Sequence, residues 1–275
     1  MSKNRKIIRL QKTLKLLKSV LIAYSGGVDS TFLLKIAVDT LGRENVLAVT
    51  ARSETYPFRE FKEAGRLAKQ IGSRLKVIHT SELNIKGFRN NPVNRCYYCK
   101  RVLFSRLKAI AKKEGLNYCA DGTNYDDLKD VRYGRFAAKE LGIKSPLLTA
   151  RITKADIRRF SRRLKLKTWD KPSFACLASR FPHKTVITKE KLTAVEEAEE
   201  FLRGFGIRQV RVRYHGPLAR IEVLPEDIKI LIRPENAKKI SGKFSRLGFS
   251  YTTVDLEGYR TGSMNAKRKH NRKRS

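Results

Sequence analysis

The chain has 275 residues, 41% of them hydrophobic and 9% aromatic, and its 61 Lys and Arg against 26 Asp and Glu give a formal net charge of +35. That apolar fraction excludes a disordered chain despite the charge, and the length allows one large domain or two modest ones, each able to bury a core. The longest apolar candidate, Leu16 to Tyr24, is broken by Lys18 and falls short of the roughly 18 residues of a membrane span, so the charge sits on a folded scaffold.

The basic start (Lys3, Arg5, Lys6, Arg9) has no small-residue cleavage site after it, and a cytoplasmic protein is expected. Ile7, Leu10, Leu14 and Leu17 recur at helical spacing, with lysines on the other face. A strand over Val20 to Tyr24 follows and runs into Ser25-Gly26-Gly27-Val28-Asp29-Ser30, after which a helix continues to about Gly42. Strands are predicted over Val46 to Thr50, Leu75 to His79 and Leu116 to Ala120, and helices over Phe58 to Ile71, Tyr97 to Lys113, Tyr133 to Leu141 and Thr153 to Leu164. This alternation predicts an α/β fold with a doubly wound parallel sheet, whose ligands bind at strand carboxyl ends.

Two prolines, Pro172 and Pro182, mark a seam, after which the rhythm changes. A helix over Lys189 to Phe205 precedes a hairpin of Gln209 to Tyr214 and Leu218 to Val223. Helical segments Pro225 to Ile232 and Pro234 to Leu247 and a strand near Thr252 to Leu256 complete a smaller α+β domain. The expected division is 1–168 for nucleotide binding, 169–188 for an active-site linker loop, 189–265 for substrate binding and oligomerisation, and 266–275 for a disordered basic tail.

The segment Ser25 to Ser30 carries the clearest chemistry. Gly26 and Gly27 let the backbone turn its N–H groups inward, and the helix amino terminus adds partial positive charge, making a nest for phosphate or pyrophosphate. No Gly-Lys-Ser/Thr follows, which argues against kinase-type use. The four cysteines, at 96, 99, 119 and 176, suit metal or sulfur chemistry in a reducing compartment better than a secreted disulfide scaffold.

Ser-Gly-Gly-Val-Asp-Ser resembles the PP-loop of the ATP pyrophosphatase superfamily, whose members split ATP between the α and β phosphates. The resemblance implies that Ser25, Gly26, Gly27, Val28, Asp29 and Ser30 bind the nucleotide, with Asp29 orienting the loop or helping to hold Mg2+. It further implies that Thr50 and Arg52, at the end of the second strand, and Asp121, Gly122 and Thr123, after a later one, face ATP. Asn94 to Lys100, Ala120 to Asn124 and Lys171 to Arg180 together are similar to the signature set of LarE-like ATP-dependent sulfur transferases, over roughly Leu16 to Val223.

That family converts the carboxylates of a pyridinium dicarboxylate mononucleotide to thiocarboxylates for a nickel-pincer cofactor. The resemblance implies Cys176 as the sulfur-delivering residue, Glu199 beside Asp29 as catalytic, and Ser179, Arg180, Arg211, Arg213 and Glu222 as the substrate-binding set. Cross-strand surface pairing is the alternative for the last three. Cys96, Cys99 and Cys176 match the members that hold a [4Fe-4S] cluster; zinc, which wants four protein ligands, and a Cys96–Cys99 disulfide are alternatives, and Cys119 is expected to be buried. His183-Lys184 stands where the family tends to have Tyr-Gly.

The expected partners are a small pyridinium mononucleotide, a sulfide or sulfur donor, and a second copy in a homo-oligomer. RNA is also expected to be a partner, because the charge exceeds what a small substrate needs and clusters lie in Lys3 to Lys18 and Arg151 to Lys167. A PP-loop tRNA thiolation enzyme is therefore the second reading, and a nonenzymatic nucleic-acid-binding protein a third, which explains the charge but not the loop or the cysteines.

Overall fold

The computed structural model describes residues 4–129, 133–172, 175–260 and 262–264. The chain divides into two compact units, residues 1–175 and 176–275, the boundary falling inside the segment expected to be a linker. Ser173, Phe174 and the basic tail from Ala266 lie outside the described residues.

In the first unit, α1 (Asn4–Leu17) buries the predicted Leu10, Leu14 and Leu17 stripe. Strands β1 (Val20–Ala23), β2 (Val46–Arg52), β3 (Arg74–His79) and β4 (Tyr118–Ala120) form a wholly parallel sheet in the order β3-β2-β1-β4. The helices are α2 (Val28–Leu41), α3 (Phe58–Ile71), α4 (Arg95–Lys113), α5 (Tyr133–Glu140), α6 (Pro146–Thr149) and α7 (Lys154–Arg163).

Side chains alternate across the pleat and build two cores. Val20, Ile22, Val46 and Ala48 pack with α1, α2, α3 and α7, whereas Leu21, Leu47, Val49 and Cys119 pack with α4 and α5. Helices on both faces make the sheet doubly wound, as the alternation predicts. β1 has β2 on one side and β4 on the other, so strand order reverses at β1 and the crevice above its carboxyl end is the natural ligand position.

Three boundaries differ from expectation. α2 starts at Val28 rather than after Ser30, and α4 starts at Arg95 rather than Tyr97, which brings Cys96 into the helix with Cys99. β4 lacks Leu116 and Asn117 because their N–H groups already donate to Ala111 O and Ser19 Oγ.

In the second unit, α8 (Lys189–Arg203) covers a three-stranded sheet, β5 (Val210–His215), β6 (Leu218–Val223) and β7 (Tyr251–Val254), in the order β5-β6-β7. The β5-β6 pair is the predicted hairpin and β7 runs parallel to β6. Short α9 (Ile228–Leu231) and α10 (Pro234–Arg246) complete the unit. Phe181, Tyr214, Phe249 and Phe244 form a chain of ring contacts 5.2 to 5.8 Å apart, a geometry that adds to the gain from burial alone.

Candidate functional site

Hydrogen bonds within the loop after β1 set its shape. Ser25 N donates to Ser30 Oγ at 3.3 Å, the two serine hydroxyls lie 3.1 Å apart, and Thr31 N donates to Gly27 O. Tyr56 Oη donates to Ser25 O at 2.7 Å from outside. Gly26 has φ +61°, and a Cβ there would lie 2.6 Å from the Ala64 Cβ of α3, so both the turn and the helix approach require glycine. A Cβ on Gly122 would lie 3.1 Å from Ser30 N, so the strand β4 turn presses its backbone against the first turn of α2. Registers Ala23↔Val49 and Ile22↔Ala120 place Thr50 and Asp121 beside this loop.

The first-unit residues expected around ATP therefore converge on one crevice, apart from Arg52, whose guanidinium lies over the rings of Phe58 and Phe61 at 5.3 and 5.6 Å. Asp121 accepts from Thr123 Oγ1 and Ser145 Oγ, each at 2.7 Å, which fixes the turn.

Two lysines here had no role in the sequence reading. Lys154 Nζ donates to both oxygens of Asp29, at 2.7 and 2.6 Å. Lys171 Nζ pairs with Glu60 and Glu63 at 2.7 and 2.8 Å and donates to Gly26 O at 3.3 Å, tying the motif ahead of Cys176 to the loop. Lys154 follows Thr153, which caps α7 in a reciprocal box with Asp156. The T-x-x-D pattern marks that helix start, so the lysine's place at the top of α7 is readable. Lys171's reach across 145 residues to Gly26 leaves no local trace.

The second unit presents Cys176 at the head of a short 3-10 turn, Leu177–Arg180. Arg180 is wholly buried; Nη1 donates to Cys176 O and Ser179 Oγ, each at 3.0 Å, while Nε and Nη2 bind the two oxygens of Glu199 at 2.8 and 2.9 Å. Glu199 also accepts from Val212 N at 3.0 Å. Burial alone would raise the Glu199 pKa, but the Arg180 guanidinium overcomes it and holds the carboxyl below its ordinary range. Both oxygens of Glu199 are thus engaged, by Arg180 and by Val212 N.

Arg213 binds Glu222 through Nε and Nη2 at 3.0 and 2.6 Å and donates to Ser179 O at 3.2 Å. The cross-strand pairing expected as an alternative is thus present but buried, not on the surface, and two Arg–Glu pairs grip the loop that carries Cys176. Arg211 lies over the Tyr259 ring at 5.3 Å, and burial and the nearby Arg180 push its pKa down to about 10. Three buried guanidiniums against two buried carboxylates leave this layer favourable to an anion.

Cys96 is exposed and Cys99 half-buried, three residues apart in the first turns of α4, so they share a face of the helix. Cys119 is buried, as expected, and its thiol is pushed up to about 11 by desolvation. Among the described residues there is no disulfide and no group of three or more His, Cys, Asp or Glu placed to hold a metal ion. No described helix is long and apolar enough to cross a membrane.

A family model for NAD synthase matches residues 3–96, the stretch that includes the phosphate loop. An uncharacterized protein of Synechocystis is 45% identical over 249 residues, covering 90% of this chain and 92% of that protein. The pyridinium-3,5-bisthiocarboxylic acid mononucleotide synthase of Lactiplantibacillus plantarum is 38% identical over 260 residues, covering 93% and 92%. An uncharacterized protein of Methanocaldococcus jannaschii is 34% identical over 260 residues, covering 94% and 98%. With the PP-loop crevice in one unit and similarity running through both, the chain belongs to the LarE-like family of PP-loop proteins that includes the L. plantarum synthase.

Proposed function

We propose that the protein is an ATP-dependent sulfur transferase that activates the carboxylates of pyridinium-3,5-dicarboxylate mononucleotide and converts them to thiocarboxylates. The observation that carries this reading is the 38% identity to the L. plantarum synthase, which extends through both units. In the first step a substrate carboxylate oxygen attacks the α-phosphorus of ATP, the α–β bridging bond breaks, and pyrophosphate leaves. A sulfur nucleophile then attacks the acyl carbon and AMP departs with the bonding pair.

The Ser25 to Ser30 loop would hold pyrophosphate, with Asp121 and Thr123 fixing the turn alongside. Mg2+ would sit on Asp29, where the Lys154 ammonium already stands as a cation, and would neutralise phosphate charge. Arg211 and Arg213 would bind the substrate's phosphate or carboxylates, since the guanidinium fork gives paired donors. The Arg180–Glu199 and Arg213–Glu222 pairs would keep Cys176 and Ser179 in place.

Cys176 would deliver the sulfur. Cys96, Cys99 and Cys176 would be the thiolate ligands of a [4Fe-4S] cluster, whose free iron supplies a site for hydrosulfide. The donor chemistry fits: two thiols share one accessible helix face, and a third opens the second unit. Labelled ATP with the pyridinium substrate should yield AMP and pyrophosphate; ADP and phosphate would refute the adenylation. Anaerobically prepared protein should contain iron, lost in Cys96→Ala and Cys99→Ala. An active, iron-free protein in which Cys176 becomes dehydroalanine after one turnover would replace the cluster with a sacrificial cysteine.

A further inference from the structure

The sulfur-transfer reading leaves the charge of +35 unexplained, and six basic residues of the tail account for only a small part of it. Two basic clusters remote in sequence meet in the first unit. α1 and α7 both pack on α2, and Lys6 of α1 ion-pairs with Asp156 of α7, which also pairs with Arg159 at 2.6 Å. Residues 4–18 and 154–169 together carry thirteen basic side chains and the single carboxylate Asp156, which those pairs neutralise. Arg9, Lys12, Arg163 and Lys167 are exposed.

An aromatic platform adjoins these charges. Trp169 is 38% exposed, and the Arg162 guanidinium lies 5.0 Å from the centre of its ring. Arg158 pins the segment from both sides, donating to Trp169 O and Lys171 O, each at 2.8 Å. The indole is thus held on a fixed backbone beside a row of cations, the pairing that binds unpaired bases and their phosphates.

An anionic membrane would also attract this charge, but insertion needs an apolar helix face. The continuous apolar stripes of both helices, Leu10 and Leu14 on α1 and Ile157 and Phe160 on α7, are spent in the core, and the apolar side chains left exposed, Ile8, Leu16 and Leu164, stand singly among basic residues and make no insertion face. We propose that the α1–α7 face, with Trp169, is a binding surface for single-stranded RNA, whose unpaired bases are the usual target of aromatic stacking.

The test measures anisotropy of a labelled, unstructured RNA of about 20 nucleotides with the full chain across a salt series. Charge reversal at Arg163 and Lys167 (R163E with K167E), or at Arg9 and Lys12 (R9E with K12E), should weaken binding at least tenfold. Each pair should also flatten the salt dependence by roughly 1.4 in log–log slope, two single-strand phosphate contacts. Lys108→Glu with Lys112→Glu changes net charge equally but lies on α4, in the opposite core layer, and should weaken binding less than twofold. Trp169→Ala should cost about fivefold or more with the slope unchanged.

Thermal melts of every variant confirm folding, and weak binding by a folded variant is read directly. Equal losses from the α4 and α7 pairs would overturn the proposal, as would a Trp169→Ala variant that binds like the parent. Tighter binding to phosphatidylserine vesicles or to single-stranded DNA of the same sequence would overturn the choice of partner. Retained sulfur transfer in the R163E/K167E variant keeps this surface separate from the proposed chemistry.

Discussion

Glu199→Ala separates a structural carboxylate from a catalytic one. The substitution leaves the Arg180 guanidinium, 0% exposed, without its bidentate partner and removes the acceptor of Val212 N. Removing one member of a buried ion pair costs about 3–5 kcal/mol, because the remaining charge is stranded out of water. Whole domains are stable by only about 5–15 kcal/mol, so the second unit should be close to unfolding at ambient temperature. Hydrogen exchange of peptides spanning Val210 to Val223, read by mass spectrometry, reports on this unit, whereas Trp169 fluorescence reports on the other.

Protection there should fall by about two to four decades in Glu199→Ala and by less in Glu199→Gln, which keeps a neutral acceptor. Replacing both partners, Arg180→Met with Glu199→Leu, should recover most of the loss because no charge is left buried. The sign with pH is fixed by the lowered Glu199 pKa. The pair's contribution is fully present above the ordinary glutamate range and is lost as pH falls through the folded value, so parent and Glu199→Gln should converge only in acid. Unchanged protection in Glu199→Ala, together with lost turnover, would refute the positioning role and make Glu199 an acid or base.

Four further outcomes follow from the geometry. Gly26→Ala should abolish ATP binding by calorimetry, since the new Cβ meets Ala64 at 2.6 Å and the left-handed backbone adds about 1–2 kcal/mol. Lys154→Met should leave the melting temperature within a few degrees but alter the Mg2+ dependence of turnover, because Asp29 loses the cation it now holds. Arg211→Met should stabilise the second unit by roughly 1–3 kcal/mol, since burial and Arg180 oppose its charge, while KM for the pyridinium substrate rises at least tenfold. Lys184→Gly should stabilise by up to about 1 kcal/mol in chemical denaturation, because Lys184 sits at φ +70°, a backbone form that strains a residue with a Cβ and that glycine adopts freely.

The sequence and the structure agree most closely where periodicity is local. The α1 stripe, the Phe58–Ile71 helix and the β5-β6 hairpin follow from spacings of three to four residues or of two, set by the backbone itself. The crevice at the end of β1 was also legible, because glycines between a strand and a helix impose one geometry and parallel strands bring their carboxyl ends together. The start of α4 was less so. Asn94 is a good N-cap residue in sequence, but its side chain makes no cap bond, and only the structure fixes the start at Arg95 and so puts Cys96 with Cys99 on one helix face. At the loop departure, His183-Lys184, the lysine adopts a left-handed backbone at φ +70°, a form the sequence alone did not signal.

What the sequence could not rank was the use of its charges. Only the family resemblance sets Arg180, Arg211 and Arg213 apart from the rest of the 61 basic residues, and nothing in composition or spacing says that they are buried, whereas Arg163 and Lys167 are solvent-exposed. The difference lies in partners distant along the chain: Glu199 is 19 residues from Arg180, and Glu222 meets Arg213 across a hairpin. Arg180 and Arg213 enter the interior where such a carboxylate offsets their desolvation, so their place is fixed by tertiary pairing. The exposed set obeys no such constraint and is free to accumulate on α1 and α7. One excess of positive charge therefore divides into two populations with different salt responses. Small-substrate turnover, depending on screened and buried guanidiniums, should change little between 50 and 300 mM salt, whereas binding to the α1–α7 face should fall steeply over the same range.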